Sequence, residues 1–361
     1  MQRVKSQRRL DLLLDSGAFS AWARQDDIQL ETYIDYLKQH RRCASAYLAL
    51  DKIPGRFKAP ATATETDEAA RISYQNLQVM KAAGLTPIPV FHQGEDFDWL
   101  IRLIEDGEDY IGISPRDFSG AQAQQAWFDK VFTLITDRDG HPMVRTHGLG
   151  VTKVKFLLRY PFTTVDSTRW TLDAGYGHIL LPQWRNGGFD YLQPPHIVAT
   201  TGVDSKVNAR KQVRGFGDAT TQHIEDYVTG LGLTLEQLRD DRLGRIRTYL
   251  HYYQQLAQQL PPVRFSDFDT GLFLPNIKTS LREPLSPSKL KIYVATFCRG
   301  VDVRVVDAMG IKTRLLSYYE LRNQEANALY DYVRDGYLPT RRNINRRSRS
   351  ADETDRPPWQ A

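Results

Sequence analysis

The stretch "LLLDSGAFSAW", residues 12–22, decides how the rest of the sequence is interpreted. Three leucines run directly into Asp15, Ser16 and Gly17, which is typical of a buried strand that ends in polar residues. In parallel α/β folds, catalytic side chains lie at the carboxyl ends of the strands. The stretch therefore predicts a strand that carries Asp15 into a site, although such a strand seldom comes so early in a domain.

Five further apolar runs follow, and helical patterns separate them up to about residue 170. They are "AYLALD" (46–51), "TPIPVFHQG" (86–94), "DYIGIS" (109–114), "MVRTHGLGV" (143–151) and "FTTVDST" (162–168). The clearest helical pattern is residues 64–84, with Thr64 or Thr66 as its cap and Gly84 as its stop. Strict alternation of strands and helices predicts parallel strands, since each crossover needs a helix. Residues 10–170 therefore predict six parallel strands of a (β/α) barrel with its catalytic face.

The remaining chain divides into three parts. Residues 171–288 are predicted to be a basic insertion with a packing helix. Residues 171–235 are rich in Gly, Pro and polar residues, which indicates an insertion containing a hairpin, and the helix that follows has Leu238, Ile246 and Leu250 on its apolar face. Residues 289–336 resume the rhythm as a β-α-β-α unit. Its two strands would complete an α/β, TIM-like (β/α)8 barrel; the alternative is a C-terminal accessory domain. Residues 337–361 are predicted to be a basic disordered tail.

Composition restricts the class of protein. The chain has 361 residues, of which 41% are hydrophobic and 25% charged, and no apolar run approaches the ~20 residues of a membrane span. We therefore expect no membrane partner and a cytoplasmic location, which is the host cytoplasm if a phage encodes the protein. The two cysteines, Cys43 and Cys298, provide neither a disulfide framework nor a zinc quartet. No metal and no cofactor is predicted.

A net charge of +5 makes nucleic acid a candidate partner. The excess lies in the insertion and the tail, and a solvated surface is the alternative interpretation of both. The predicted phosphate-binding side chains are Lys206, Arg210, Lys211, Arg214, Arg341, Arg342, Arg346 and Arg347.

Polar residues follow nearly every predicted strand. Asp15 and Asp166 share one local form, in which an apolar strand runs into Asp and Ser, and Asp51 follows a third strand. An isolated aspartate after a strand also serves as a helix cap or turn residue. Two carboxylates at one face suit chemistry at an anomeric carbon, one as nucleophile and the other as proton shuttle.

These motifs also carry a family resemblance. "LLLDSGAFSAW" resembles the DSGG-F motif of the tRNA-guanine transglycosylases, with Ala18 in place of the second glycine. The segments "LALD", "VFHQGE", "YIGISP", "THGLGVT" and "TTVDSTRW" resemble further family motifs in the same order. The resemblance covers residues 10–170 as short motifs, of which the first and last are individually specific.

Two departures narrow the resemblance. The family's zinc site of three cysteines and a histidine is absent, since residues 171–361 contain only Cys298. "DSTRW" also replaces the Asp-x-V-x-Pro-Thr-Arg segment of the tRNA enzymes. The chain is more similar to the zinc-less phage and bacterial paralogues that insert 7-deazaguanines into DNA. That implies a pentosyltransferase exchanging guanine in DNA for a base such as 7-cyano-7-deazaguanine. The alternatives are the same exchange on tRNA, a nucleic-acid N-glycosidase, and a catalytically inactive nucleic-acid-binding barrel.

The resemblance also implies roles for individual residues. Asp166 would attack C1′ and form a covalent aspartyl-glycosyl intermediate, while Asp15 would protonate the departing guanine and later deprotonate the incoming 7-deazaguanine. Asp51 and Gln93 would read the Watson–Crick edge of the base. The remaining substrate-binding positions would be Ser16, Phe19, Gly112, Gly148, Leu149 and Gly150, with Phe19 and Leu149 enclosing the ring. The partners would be DNA with a flipped or single-stranded guanine and the free 7-deazaguanine base; the oligomeric state stays open.

The same comparison implies a circular permutation. In the paralogues, a segment like "IYVATFCRGVDVRVVDAMGIKTRLLSYYEL" would precede the DSGAF strand, whereas here it occupies residues 292–321. The first two barrel strands would then be encoded last, and the strand of Asp15 would be the third. Such a rearrangement costs little, because barrel strands need spatial rather than sequential order.

Overall fold

A computed structural model describes residues 10–57, 59–116, 119–200, 213–265, 283–286, 288–295 and 300–322. The protein has an α/β fold built on an eight-stranded parallel sheet that is consistent with a TIM-like barrel. The helix predicted within residues 323–336 and the basic tail both lie outside the described residues.

The strands are β1 (Asp11–Asp15), β2 (Ala46–Tyr47), β3 (Val90–His92), β4 (Tyr110–Ser114), β5 (Arg145–Gly148), β6 (Thr164–Ser167), β7 (His178–Leu181), β8 (Gln183–Arg185), β9 (Gly188–Asp190), β10 (His196–Ala199), β11 (Lys291–Ala295) and β12 (Thr313–Ser317). The helices are α1 (Ala18–Ala23), α2 (Leu30–His40), α3 (Ala63–Ala82), α4 (Phe97–Glu105), α5 (Gly120–Ile135), α6 (Val154–Leu157), α7 (Arg169–Gly175), α8 (Asp218–Gly230), α9 (Leu235–Asp240), α10 (Arg242–Gln259), α11 (Gly300–Ala308) and α12 (Tyr318–Leu321). Among these helices, none combines the length and apolar character that crossing a membrane requires.

The large sheet has the order β2-β1-β12-β11-β6-β5-β4-β3, and its neighbouring strands are parallel. Both late strands therefore lie inside the sheet, between β6 and β1. The pairing sets Tyr293 of β11 opposite Asp166 of β6, and Ser317 of β12 opposite Asp15 of β1. The late segment thus contributes directly to the sheet that carries both candidate carboxylates.

The two outer strands of this order also approach each other. Leu48, just after β2, forms a parallel bridge with Ile88, just before β3. The Ala49 N–H donates to Ile88 O at 2.7 Å, and the Ile88 N–H donates to Tyr47 O at 2.8 Å. The sheet is therefore strongly curled, with β2 and β3 brought together.

The circular permutation stays a prediction. In a ring of strands that follows chain order, the last strand lies beside the first in any case. The position of β12 beside β1 is thus the same with or without a permutation relative to other proteins.

Alternation along β1 shows how the sheet separates two apolar layers. Leu12 and Leu14 belong to the large cluster between the sheet and its helices. Leu13 points the other way, into a smaller cluster with residues of four other strand regions: Leu48, Ile88, Val90, Tyr293, Ala295 and Leu315. Successive side chains of a strand face opposite sides, so a run of three leucines fills both layers. Asp15, two residues beyond Leu13, shares its face.

Two helix boundaries differ from the sequence expectations. The cap of α3 is Thr62 rather than Thr64 or Thr66, because Thr62 and Glu65 form a reciprocal capping box while Thr66 lies inside the helix. The packing helix expected to contain Leu238 is divided into α9 and α10. Asp241 makes the division, since its side chain accepts a hydrogen bond from Leu243 N and caps α10.

The predicted hairpin is present in the insertion. Strands β8 and β9 pair antiparallel around Asn186 and Gly187, whose φ angles of 51° and 81° suit a tight two-residue turn. Strands β7 and β10 form a second antiparallel pair that encloses this hairpin in the chain.

Gly17, just after β1, packs against the end of β12 and the start of α12, and replacing it should destabilise the protein. Its φ is 81°, and a Cβ there would overlap Ser317 Oγ and Tyr319 Cβ. For Gly17→Ala we expect a loss of roughly 2–4 kcal/mol in the free energy of unfolding, from left-handed backbone strain plus overpacking. Urea denaturation followed by circular dichroism measures this loss.

Gly187→Ala is the matched control for Gly17→Ala. Gly187 has the same φ of 81°, but no atom lies within 4 Å of its Cβ position. It should lose only about 1 kcal/mol, because backbone strain acts alone. Equal losses in the two variants would show that the contact with Ser317 and Tyr319 contributes nothing.

Candidate active site

Three carboxylates meet at the carboxyl end of the large sheet. Asp15 ends β1, Asp166 lies near the end of β6, and Asp51 follows the extension of β2. Burial, and then the negative charges of Asp51 and Asp166, together raise the pKa of Asp15 to about 7, against the backbone N–H groups of Gly17 and Ser16, which lower it. A carboxylic acid with this pKa exchanges its proton readily at neutral pH, as a general acid or base must.

Asp166 is held by the turn that follows β5. The Gly150 N–H donates to Asp166 Oδ1 at 2.8 Å, and His147 Nε2 lies 3.4 Å from the same oxygen. Gly150 has a φ of 67°, the left-handed region that glycine adopts without strain. In this structure the Gly150 N–H therefore orients the candidate nucleophile, whereas the sequence expectation assigned Gly150 to the substrate.

Asp51 is buried with both oxygens hydrogen-bonded. Ser16 Oγ donates to Asp51 Oδ1 at 3.4 Å, and His92 Nε2 donates to Asp51 Oδ2 at 2.8 Å. Ser16 is itself fully buried and accepts from Ala18 N at 3.2 Å. The buried hydroxyl of Ser16 thus connects the end of the Asp15 strand to Asp51 through a hydrogen bond.

Glu95 is a fourth buried acid that the sequence reasoning missed. Its Oε2 accepts from His92 N at 3.1 Å, while its buried Oε1 has no hydrogen-bond partner. Burial raises the pKa of Glu95 to about 7, although His92 acts in the other direction. Burial lowers the pKa of His92, but its hydrogen bond to Asp51 and the charges of Asp51 and Glu95 outweigh that effect and raise it. The local signal for this pair is the segment "VFHQGE", which contains both His92 and Glu95.

Glu95→Gln should become more stable relative to the native protein as the pH rises. A buried acid with a raised pKa keeps its proton in the folded state, so its ionisation costs stability between the unfolded pKa near 4.5 and the folded pKa near 7. Between pH 4 and pH 8 the difference in unfolding free energy should change by about 3 kcal/mol in favour of the variant. Thermal unfolding across this pH range measures it.

Glu65→Gln is the control, in which the stability difference from the native protein should change with pH in the opposite direction. Thr62 lowers the pKa of the exposed Glu65, so the contribution of Glu65 is present at neutral pH and is lost as the pH falls. If Glu95→Gln shows no gain as the pH rises, Glu95 is not a buried, protonated acid.

Gln93 is engaged by the segment that follows β4. Its Oε1 accepts from Arg116 N at 2.9 Å and from Ser119 Oγ at 3.1 Å, and its Nε2 donates to Ala123 O at 3.4 Å. Accepting from a base edge would require Gln93 Oε1 to give up a bond to Arg116 or Ser119, whereas Nε2 has a second proton that these bonds do not use. The carboxylate of Asp51 therefore remains the better placed acceptor for the edge of a base.

The two strand glycines allow close packing around the site. A Cβ at Gly112 would come within 3.1 Å of Leu149 Cδ1, and a Cβ at Gly148 within 3.0 Å of Phe162 Cε1. Leu149 is partly buried and packs on the inner cluster of the sheet. Larger residues at Gly112 would therefore displace Leu149.

Phe19 lies at the rim, one turn beyond Asp15. It is 48% exposed, and its ring centroid lies 5.7 Å from that of Trp22 and 6.4 Å from that of Phe57. An exposed aromatic ring on the helix that follows the Asp15 strand is a surface on which a planar base stacks favourably.

The predicted phosphate-binding residues lie almost wholly outside the described part of the chain. These are Lys206, Arg210, Lys211, Arg341, Arg342, Arg346 and Arg347, together with the side chain of Arg214. Within the described residues, one group has metal-ligand spacing, namely Asp137, Asp139 and His141 in the turn before β5. Asp137 Oδ1 accepts from the backbone N–H of both other residues, so the turn itself accounts for this group.

Comparison with known proteins does not assign the chain to a family. No protein-family model matches it, and no curated protein is found to match it. The function therefore has to be argued from the carboxylate group itself.

Proposed function

We propose that this protein is a base-exchange transglycosylase that replaces guanine in DNA by a 7-deazaguanine through a covalent aspartyl-glycosyl intermediate. The observation that carries the proposal is the pairing of Asp15, whose pKa is about 7, with a buried and hydrogen-bonded Asp166 at the same end of one sheet. Chemistry at an anomeric carbon uses such a pair, one acid with a raised pKa and one carboxylate as nucleophile. The motif resemblance to the zinc-less transglycosylases supports the choice of bases.

We also propose that the curled sheet closes as a (β/α)8 barrel. The bridge between Leu48 and Ile88 joins the two outer strands, and the inner cluster receives side chains from strands on both sides of that bridge. Eight strands enclose an interior just wide enough to be filled by side chains. The carboxylate group would then lie at the carboxyl-terminal mouth, the usual site in such barrels.

The first half of the reaction forms the intermediate. An oxygen of Asp166 attacks C1′ of the deoxyribose as the bond from C1′ to N9 of guanine breaks. The electron pair of that bond leaves with guanine, which takes the proton of Asp15. The products are a glycosyl ester on Asp166, free guanine and ionised Asp15.

The second half restores the enzyme. Ionised Asp15 takes the N9 proton of the incoming 7-deazaguanine, whose nitrogen attacks C1′ and displaces Asp166. Asp51 accepts hydrogen bonds from the Watson–Crick edge of the base, and His92 holds its carboxylate in place at 2.8 Å. Phe19 covers one face of the ring at the rim. Water has to be excluded, because hydrolysis of the ester would leave an abasic site.

The test is base exchange with the full chain. Guanine-labelled DNA is incubated with the protein, with and without 7-cyano-7-deazaguanine, and a matched tRNA is treated in parallel. Repeated release of label from DNA that requires the deazaguanine, with its incorporation, is the expected result, because without that base release stops at one guanine per protein. Exchange on tRNA alone would replace DNA by RNA in the proposal, and abasic sites without added base would indicate an N-glycosidase. No release from either nucleic acid would overturn the proposal.

A further inference from the structure

We infer that His147, Thr164 and Tyr110 form a hydrogen-bonded relay inside the sheet that positions the carboxylate of Asp166. His147 is the positioning residue, and the other two residues set its tautomer. The catalytic consequence of the relay rests on the proposed function, whereas the relay itself does not.

The geometry of the relay is continuous across three strands. Tyr110 OH lies 2.5 Å from Thr164 Oγ1, and Thr164 Oγ1 lies 2.7 Å from His147 Nδ1. The other ring nitrogen, Nε2, is buried without a hydrogen-bond partner and lies 3.4 Å from Asp166 Oδ1. His147 is fully buried, and the ring of Tyr293 packs edge-on against it at 6.4 Å. A buried imidazole nitrogen this close to a carboxylate oxygen is favourable when it carries a proton and costly when it presents a lone pair.

The direction of the hydrogen bonds follows from the donors available. Tyr110 OH and Thr164 Oγ1 can each donate in their contact, so the direction is set at the other end, where His147 Nε2 needs a proton beside Asp166 Oδ1. With that proton on Nε2, Nδ1 is the acceptor, so the single hydroxyl proton of Thr164 goes to Nδ1 and Thr164 Oγ1 accepts from Tyr110 OH. A neutral imidazole that accepts at Nδ1 carries its proton on Nε2, the nitrogen that faces Asp166. The reverse direction would place two lone pairs, on Nε2 and on Asp166 Oδ1, against each other.

The relay orients the Asp166 carboxylate through one of its two oxygens. The Gly150 N–H donates to Asp166 Oδ1, and the proton that we assign to His147 Nε2 lies beside the same oxygen, so Oδ2 is the oxygen presented for attack at C1′. A neutral histidine restricts the carboxylate and adds no positive charge beside it, whereas an arginine or lysine would add one. Asp166 therefore stays a nucleophile while its rotation is restricted.

Nitrogen NMR of the full-length protein labelled with ¹⁵N-histidine tests the relay without any substrate. The resonances of His147 are assigned as those that disappear in His147→Gln. We expect a protonated Nε2 and an unprotonated Nδ1 in the wild-type protein. Thr164→Val removes the donor to Nδ1 and should shift both resonances, whereas Thr164→Ser keeps the hydroxyl and should preserve them.

Activity gives the second readout. Formation of the covalent adduct should slow roughly 10–100-fold in Thr164→Val and recover in Thr164→Ser, the magnitude usual for residues that orient a reactive ligand. A proton on Nδ1 in the wild type, or unchanged resonances in Thr164→Val, would overturn the inference. The wild-type spectrum alone decides the tautomer, so the inference remains testable if Thr164→Val does not fold. An expected spectrum without base exchange would instead overturn the proposed function and keep the relay.

Discussion

Asp166→Asn is expected to abolish the covalent adduct between the protein and DNA. The asparagine amide has the shape of the carboxylate, and its oxygen can accept the hydrogen bond that Gly150 N–H donates to Asp166 Oδ1 at 2.8 Å in the wild type. The amide is not a nucleophile. We expect base exchange to fall on the order of 10⁴-fold or more, as when the nucleophile of a covalent mechanism is removed. The measurement is denaturing electrophoresis of protein mixed with a guanine-containing oligonucleotide, in which the adduct migrates as a separate band.

Asp98→Asn is the matched control for Asp166→Asn. Asp98 carries the same charge change on the exposed first turn of α4, in the segment that follows β3. It should form the adduct at the wild-type level, and the two variants should have similar melting temperatures. An adduct that persists in Asp166→Asn at the wild-type level would exclude Asp166 as the nucleophile.

Asp15→Asn is expected to change activity and stability in opposite directions. The variant has no proton to supply to the departing base, so exchange should slow roughly 10²–10⁴-fold, the usual contribution of general acid–base catalysis. In the wild type, adduct formation should fall tenfold per pH unit above the Asp15 pKa of about 7, because only the protonated acid can act. This fall should be missing in the variant, and the initial rate of guanine release between pH 5 and pH 9 measures it.

The stability of Asp15→Asn follows from the same raised pKa. The folded protein holds the Asp15 proton up to about pH 7, whereas the unfolded chain loses it near 3.8, so native stability falls between these values and stays lower above them. At pH 8 the variant should therefore be more stable than the wild type by on the order of 4 kcal/mol, and this advantage should vanish by pH 4. Urea denaturation at both pH values measures the change. A variant that is less stable at pH 8 would show that Asp15 is not a destabilised acid, whatever happens to the activity.

Together these expectations describe a site whose buried acids lower the stability of the folded protein at neutral pH. Asp15 and Glu95 are both acids whose ionisation is disfavoured by burial, and Asp51 and Asp166 add repulsion at Asp15. Substituting an amide for either Asp15 or Glu95 removes that cost. Proteins keep such groups where chemistry needs them, which is why perturbed acids indicate functional sites.

The strands were predictable because their patterns are local. Each of the eight apolar runs forms a strand of the large sheet, and the insertion contains the expected hairpin, whose turn lies at Asn186 and Gly187. Helix boundaries were less predictable, since several residues near a helix start can cap it. Thr62 prevails over Thr64 and Thr66 because Glu65 stands three residues after it and returns the hydrogen bond.

The partners of the candidate site residues were predictable only in part. A strand that ends in Asp-Ser locates Asp15 and Asp166 without any structure, because parallel strands present their carboxyl ends at one edge. Nothing local indicates that Gln93 is bound by Arg116 and Ser119, or that His92 is bound by Asp51. These contacts join segments separated by 23 to 41 residues, and only the packed sheet brings them together.

By itself, therefore, the sequence determined the alternation of strands and helices, the two Asp-Ser strand ends and the excess of positive charge. The tertiary structure decided that β11 and β12 lie between β6 and β1, and it decided which groups surround each carboxylate. It also showed that His147, on the neighbouring strand, lies beside Asp166. The physical reason is that periodicity and capping act over a few residues, whereas the pKa of an acid depends on every charge and donor that folding brings within reach.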